Sequence, residues 1–116
     1  MEKDKMDFNE YQEKAFQTAI YPNKNSITGL MYCTLGMCGE AGEVSERVKK
    51  LYRDHDGVIS EDMKKDITKE LGDVLWYLSG IAKELNISLD EIATTNIEKL
   101  FSRKERNMLH GEGDNR

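Results

Sequence analysis

Two short motifs in this chain share one pattern of glutamate, apolar residue, glycine, acid and valine, at residues 40–44 and 70–74. Each motif places two carboxylates three residues apart, so on a helix both lie on one side, beside an apolar row. If two such helices pack antiparallel, the motifs face each other with an approximate two-fold relation. The sequence then predicts one cluster of four carboxylates, from Glu40, Glu43, Glu70 and Asp73.

A cluster of four carboxylates implies a metal ion, because the acids repel one another unless a cation lies between them. Oxygen-only ligands favour Mg²⁺ or Mn²⁺. The alternative is that these acids are solvated residues of charged helix faces, which is typical of an isolated Glu-x-x-Glu pair. The repetition at the same phase favours the metal site. Gly42 and Gly72 also favour the metal site. A mid-helix glycine costs about 1 kcal/mol relative to alanine, so it needs a reason such as close helix approach.

The histidines and cysteines indicate no further metal site. Ferritin-like di-iron proteins use Glu-x-x-His motifs, whereas neither His55 nor His110 stands three residues after a glutamate. Both histidines are expected at segment ends. Cys33 and Cys38 match no zinc spacing and are expected to be free thiols.

Four helical segments are predicted to position these residues. The first begins after Asp7, which forms a capping box with Glu10, and extends to Pro22. After a polar loop over residues 23–28, the second runs over about 29–54. The third begins at Ser60 and ends near Leu85, and the fourth follows a capping box at residues 88–91.

The two long helices carry apolar rows at alternating steps of four and three, which is a heptad-like pattern. The rows are Leu30, Thr34, Met37, Ala41, Val44, Val48 and Leu51, and Met63, Ile67, Leu71, Val74, Leu78, Ile81 and Leu85. One proline and 34% charged residues argue against a sandwich or barrel. We therefore expect an all-α protein.

Length and composition limit the organisation of the chain. With 116 residues, it is expected to form one domain over 1–110 with a flexible polar tail over 111–116. Leu, Ile, Val and Phe make up roughly a fifth of the residues, which predicts a weak core and assembly into a dimer or tetramer.

Charge and hydropathy exclude two classes of partner. The formal net charge of −5 has the wrong sign for a protein that coats a nucleic-acid polymer. No stretch approaches the roughly 20 apolar residues of a membrane span, and the first residues lack the apolar core of a signal peptide. We expect a cytoplasmic protein.

The motifs together resemble a known family, the MazG-like all-α nucleoside triphosphate pyrophosphohydrolases, and its small single-domain members in particular. The likeness covers nearly the whole chain. It rests on FNEYQ at 8–12, GEAGEV at 39–44, KELGDVLWYL at 69–78, NIEKL at 96–100, and Arg103.

The resemblance implies a four-helix protomer that assembles as a homodimer or homotetramer. It implies that Glu40, Glu43, Glu70 and Asp73 hold Mg²⁺, with Mn²⁺ as a substitute. It places Asn96, Lys99 and Arg103 near the substrate's phosphates. The implied reaction converts a nucleoside triphosphate and water to the monophosphate and pyrophosphate, in nucleotide pool control or the removal of aberrant nucleotides. Magnesium offsets phosphate charge and lowers the pKa of a bound water.

The general base and the substrate are left open by the resemblance. Glu43 is one candidate for the group that orients or deprotonates the water. Many relatives carry a further glutamate where this chain has Gly39, and Glu46 is a candidate substitute or a solvated residue. The substrate could instead be dUTP or phosphoribosyl-ATP. Outside enzymes, the chain could be a non-catalytic helical interaction module.

Three further features need an explanation. Asn96 falls in the apolar row of the fourth helix, where an unpaired amide would be costly, so it is expected to have a partner. Trp76 points away from its own apolar row, which favours a subunit interface, with base stacking as the second choice. A basic patch near the end of the second helix is best explained by the helix dipole; it comprises Lys49, Lys50 and Arg53.

Overall fold

The computed structural model describes residues 5–116, and within them it contains four helices and no strand. The helices are α1 (Phe8–Phe16), α2 (Ile27–Asp54), α3 (Glu61–Glu84) and α4 (Leu89–Glu105). The all-α prediction is confirmed. Each helix begins at a side chain that accepts a hydrogen bond from the backbone N–H three residues later; these caps are Asp7, Ser26, Ser60 and Ser88.

Two predicted boundaries are wrong. Helix α1 ends at Phe16 rather than at Pro22, because residues 17–19 tighten into hydrogen bonds that span three residues instead of four. Helix α2 begins at Ile27 rather than near Gly29, because the side chain of Ser26 accepts a hydrogen bond from the Gly29 N–H and caps the helix earlier. The loop between these helices therefore covers residues 17–26 rather than 23–28.

Helices α2 and α3 pack as an antiparallel hairpin. A Cβ added at Gly29 would meet Glu84, and one added at Gly36 would overlap the ring of Tyr77. Between these two points, a Cβ added at Gly80 would meet the sulfur of Cys33. Each step forward along α2 thus corresponds to an equal step backward along α3. The same register continues to the two acidic motifs and places them opposite each other.

The predicted apolar rows only partly follow this contact line. Met37, Val44 and Leu51 are half-buried, whereas Val48 and Leu71 are about half exposed. Glycines and the acids of the motifs lie between the two helices. Part of each predicted apolar row therefore faces away from the other helix. The heptad-like pattern therefore overestimates how much of each row packs within one chain.

Helix α1 ties the hairpin to α4. The side-chain amide of the buried Gln12 donates to the carbonyl of Ile87 at 3.0 Å, and its oxygen accepts from the N–H of Leu89 at 3.0 Å. These two bonds fix the corner between α3 and α4. No helix among the described residues is long and apolar enough to cross a membrane.

The loop between α1 and α2 is held by a carboxylate of α3. Glu84 accepts hydrogen bonds from the hydroxyl of Tyr21 at 2.7 Å and from the N–H groups of Asn25 and Ser26, each at 3.1 Å. Desolvation alone would raise the pKa of Glu84, but these bonds outweigh it and lower that pKa. Burial and the same carboxylate raise the pKa of Tyr21.

Candidate active site

Three of the four predicted acids come together between α2 and α3. Glu40, Glu70 and Asp73 each offer a carboxylate oxygen, and these three oxygens all lie within 4.8 Å of one another. We call these three residues the carboxylate cluster. Glu40 and Glu70 are half-buried and Asp73 is exposed. Glu43 lies one turn further along α2, is exposed, and stands outside this group of ligand oxygens.

The carboxylate cluster is electrostatically strained. Burial raises the pKa of Glu40 above its usual value, and the charges of Asp73, Glu70 and Glu43 raise it further. Tyr11 of α1 is also affected, since burial and the charge of Asp73 raise the pKa of its phenol. A divalent cation among these oxygens would remove the repulsion. Carboxylate oxygens are the ligands of hard divalent ions, so the donor set fits such an ion.

Arg47 is a member of the site that the sequence analysis missed. Its guanidinium Nη2 lies 3.2 Å from Glu70 Oε1, and the Glu70 side chain is 15% exposed. Within residues 5–116, no other cation forms an ion pair with the carboxylate cluster. The sequence could have indicated Arg47, because it lies one helical turn after Glu43 on the same face of α2.

An open cleft of about 350 Å³ lies beside the carboxylate cluster, and it is lined by Thr18, Glu40, Asp73, Trp76 and Tyr77. Trp76 forms one wall, and its indole N–H donates to the hydroxyl of Thr18 at 2.8 Å. Its ring packs edge-on against Tyr77, with centroids 5.0 Å apart. Its own chain half-buries Trp76, so the residue is less exposed than the sequence predicted, and the subunit interface at this position stays a prediction.

The three predicted phosphate-binding residues lie on α4, which packs against α1. Asn96 and Lys99 line an open groove along α4, and Arg103 is buried. The structure does not place Asn96 in an apolar environment, because the residue is exposed and water can pair its amide. Neither the cleft nor the carboxylate cluster includes a residue of α4. A single chain therefore does not bring the two predicted sets together.

The other acids and the motif glycines lie outside the site. Glu46 is exposed and pairs with Lys49 at 2.8 Å, and that hydrogen bond lowers the pKa of its carboxyl. The expectation of close helix approach at Gly42 and Gly72 is wrong within this chain, since a Cβ at either position would meet nothing within 4 Å. The close approaches occur instead at Gly29, Gly36 and Gly80.

Two of the three basic residues near the end of α2, Lys49 and Arg53, have local ion-pair partners. Arg53 forms an ion pair with the neighbouring Asp54 at 2.8 Å, and it is the basic residue of the last turn. This position fits the interaction with the helix dipole. His55 caps the same helix end, as expected for a segment boundary.

Comparison with known proteins gives two matches. Residues 31–108 match the model of the MazG nucleotide pyrophosphohydrolase domain. The chain is also 48% identical, over 109 residues, to the Gene 37 protein of Mycobacterium phage L5. That alignment covers 91% of this chain and 96% of the phage protein. No solved structure matches the chain.

Proposed function

The chain belongs to the MazG nucleotide pyrophosphohydrolase family, and from this premise we propose that it hydrolyses a nucleoside triphosphate between the α and β phosphates. The products would be the monophosphate and pyrophosphate. The observation that carries the proposal is the carboxylate cluster, whose three ligand oxygens lie within 4.8 Å of one another beside an open cleft.

We propose that Mg²⁺ is the metal of the site, with Mn²⁺ as a substitute. Glu40, Glu70 and Asp73 would hold it, and Glu43 stands one turn away. The bound ion would neutralise phosphate charge and make a water more acidic. Arg47 would orient Glu70 through their ion pair. Since only oxygen ligands are present in the carboxylate cluster, it suits a hard ion better than zinc or iron.

Glu43 is our candidate for the residue that orients and deprotonates the attacking water. It is exposed and outside the group of ligand oxygens, so its carboxylate can face a water beside the metal rather than hold the metal itself. Trp76 and Tyr77 present aromatic surface to the cleft, which suits a nucleobase. Lys99 and Arg103 would stabilise the charge of the departing pyrophosphate, and Asn96 would contact the phosphates.

A second copy of the chain is part of this proposal. The radius of gyration is 17.2 Å, whereas a compact domain of this length has about 13 Å. Large apolar side chains such as Met31, Leu35 and Phe101 are more than half exposed. Because Lys99 and Arg103 stand apart from the carboxylate cluster in one chain, a dimer or tetramer would let α4 of one copy serve the cluster of another.

The proposed setting is nucleotide pool control or the removal of aberrant nucleotides in the cytoplasm, without a nucleic-acid polymer or membrane as partner. A substrate panel tests the reaction. Ribo- and deoxyribonucleoside triphosphates, dUTP and phosphoribosyl-ATP are each incubated with and without Mg²⁺, and the products are identified. Magnesium-dependent monophosphate and pyrophosphate would support the proposal. Release of single phosphate would contradict it, and no turnover would favour the interaction module.

The substitution Glu70→Gln tests the site. It removes one carboxylate from the carboxylate cluster at nearly constant volume, and we expect a loss of at least about 100-fold in kcat with an unchanged circular dichroism spectrum. The matched control is Asp66→Asn, because Asp66 is an exposed acid one turn earlier on α3. Full activity of the Glu70 variant would show that the site assignment is wrong.

A further inference from the structure

The C-terminal residues turn back onto α4 and contact two of its cations. The guanidinium Nη2 of Arg103 donates to the carbonyl of Asp114 at 2.8 Å. The carboxylate of Asp114 lies 3.8 Å from that same nitrogen and 3.8 Å from the ammonium of Lys99. Arg116 holds the turn by donating to the carbonyls of Met108 and Leu109 at 3.2 and 3.1 Å. We call residues 111–116 the strap.

Arg103 is poorly satisfied beneath the strap. The residue is 5% exposed, and its Nε–H has no hydrogen-bond partner. A guanidinium carries five N–H donors in a planar fork that suits two oxygens of one anion. The strap supplies one carbonyl and a carboxylate that stays at 3.8 Å with its side chain 90% exposed. The site around Arg103 therefore has donor capacity for an anion that the strap does not use.

The strap is held by hydrogen bonds of Arg106 and Arg116 rather than by apolar packing. Its residues are nearly all exposed and polar, so releasing them costs almost no apolar burial. Gly111 and Gly113 adopt φ values of +135° and +84°, which L side chains rarely adopt. The Asp114 carboxylate is 90% exposed and lies 3.8 Å from each cation, so its ion pairs contribute little stability. A ligand with more charge and better geometry than Asp114 would displace it.

We propose that the strap is a displaceable cover for an anion-binding site formed by Lys99 and Arg103, and that the phosphate groups of the ligand release it. This inference rests on the proposed function, which assigns these two cations to the substrate's phosphates. A phosphate group offers Arg103 two oxygens in the fork geometry and carries more charge than one carboxylate. Asp114 therefore competes with the phosphates and weakens their binding.

Calorimetric titration with pyrophosphate, in buffer without divalent metal, tests the competition without requiring turnover. Asp114→Asn removes the competing charge, and we expect its Kd for pyrophosphate to fall about threefold. A chain ending after residue 110 removes the whole strap, and we expect about a fivefold fall. Glu112→Gln is the matched control, because this acid of the strap contacts neither cation, and its Kd should stay at the wild-type value.

Displacement is measured separately by NMR. On adding pyrophosphate to the wild-type chain, we expect the amide signals of Gly111 and Gly113 to sharpen and move to random-coil positions. Equal Kd values for the wild type and Asp114→Asn would overturn the proposal. It would also be overturned by tighter binding in the Glu112 control, by unmoved glycine signals, or by no pyrophosphate binding in any of these proteins.

These outcomes are distinguishable from those of the proposed reaction. If the substrate panel shows turnover but the Kd values do not differ, the strap proposal fails and the proposed function stands. If no triphosphate is hydrolysed but the Kd values fall in the expected order, the reaction fails and the covered anion-binding site stands. If the shortened chain does not fold, the Kd of the Asp114→Asn variant still tests the competition.

Discussion

Replacing Glu40 by glutamine should stabilise the metal-free protein, although it removes a predicted metal ligand. In water's dielectric, two unit charges 4.8 Å apart repel by about 0.9 kcal/mol. Glu40 takes part in two such pairs in the carboxylate cluster, and it has no ion-pair partner within residues 5–116. After screening by salt, the variant should gain about 1 kcal/mol at neutral pH.

Bound metal should reverse the order of stability. An ion that binds only the folded state stabilises it by mass action, and the variant has lost one ligand and one negative charge. The assay is thermal unfolding followed by circular dichroism, once with EDTA and once with excess Mg²⁺. For 116 residues, 1 kcal/mol corresponds to about 4 °C in Tm. We expect Glu40→Gln to melt about 4 °C higher than the wild type with EDTA, and below it with saturating Mg²⁺.

The pH dependence of the metal-free proteins gives a second readout of the same repulsion. The pKa of Glu40 is raised in the folded state, first by burial and then by neighbouring carboxylates, so the folded protein holds this proton more tightly than the unfolded chain. The wild type therefore loses stability as the pH rises through that raised pKa, and the loss is absent below the ordinary glutamate pKa. The Tm gap between the variant and the wild type should close as the pH falls through this window.

Glu46→Gln is the control for these measurements, since Glu46 is an exposed acid of the same helix and lies outside the carboxylate cluster. It should show no gain in Tm with EDTA and the same response to Mg²⁺ as the wild type. Melting of Glu40→Gln below the wild type in EDTA would show that repulsion at Glu40 does not destabilise the metal-free protein. Equal stabilisation of that variant and the wild type by Mg²⁺ would refute the role of Glu40 as a ligand.

Two further predictions concern the packing around the site. Gly36→Ala should destabilise the fold by about 1–3 kcal/mol in urea unfolding, because the added Cβ would overlap the Tyr77 ring. Gly42→Ala is its control and should stabilise the fold by up to about 1 kcal/mol, because its Cβ would stand in open space. Equal effects of the two substitutions would contradict the register of the hairpin. Tyr21→Phe should cost about 1–3 kcal/mol in the same assay, because it removes the 2.7 Å hydrogen bond to Glu84; an unchanged urea midpoint would show that this bond is not stabilising.

Features set by short stretches of chain could be predicted from the sequence. The caps at Asp7, Ser60 and Ser88 each involve one side chain and a backbone group three residues later, so the local pattern is sufficient. The acidic motifs could be predicted to meet because their spacing and repetition do not depend on the details of packing. The exclusion of strands followed from charge content and the single proline.

Features set by contacts between distant residues could not be predicted. Trp76 is hydrogen-bonded to Thr18 in the loop between α1 and α2, and the Tyr77 ring lies against Gly36; both contacts join residues far apart in the sequence. The ion pair of Arg47 with Glu70 requires the register of the hairpin. Arg103 is buried where the last residues of the chain return to α4, a contact with no periodic signal in the sequence.

The indole wall of the cleft also makes the protein its own optical probe. Trp76 is the single tryptophan of the chain, so all of the tryptophan fluorescence comes from one place. That place is lined by Glu40 and Asp73, and the indole N–H is bonded to Thr18. Any ligand that enters the cleft, or any ion that neutralises the two acids, changes the polarity around this one fluorophore. Titrations can therefore follow cleft occupancy in the unlabelled protein, without a reporter group and without turnover.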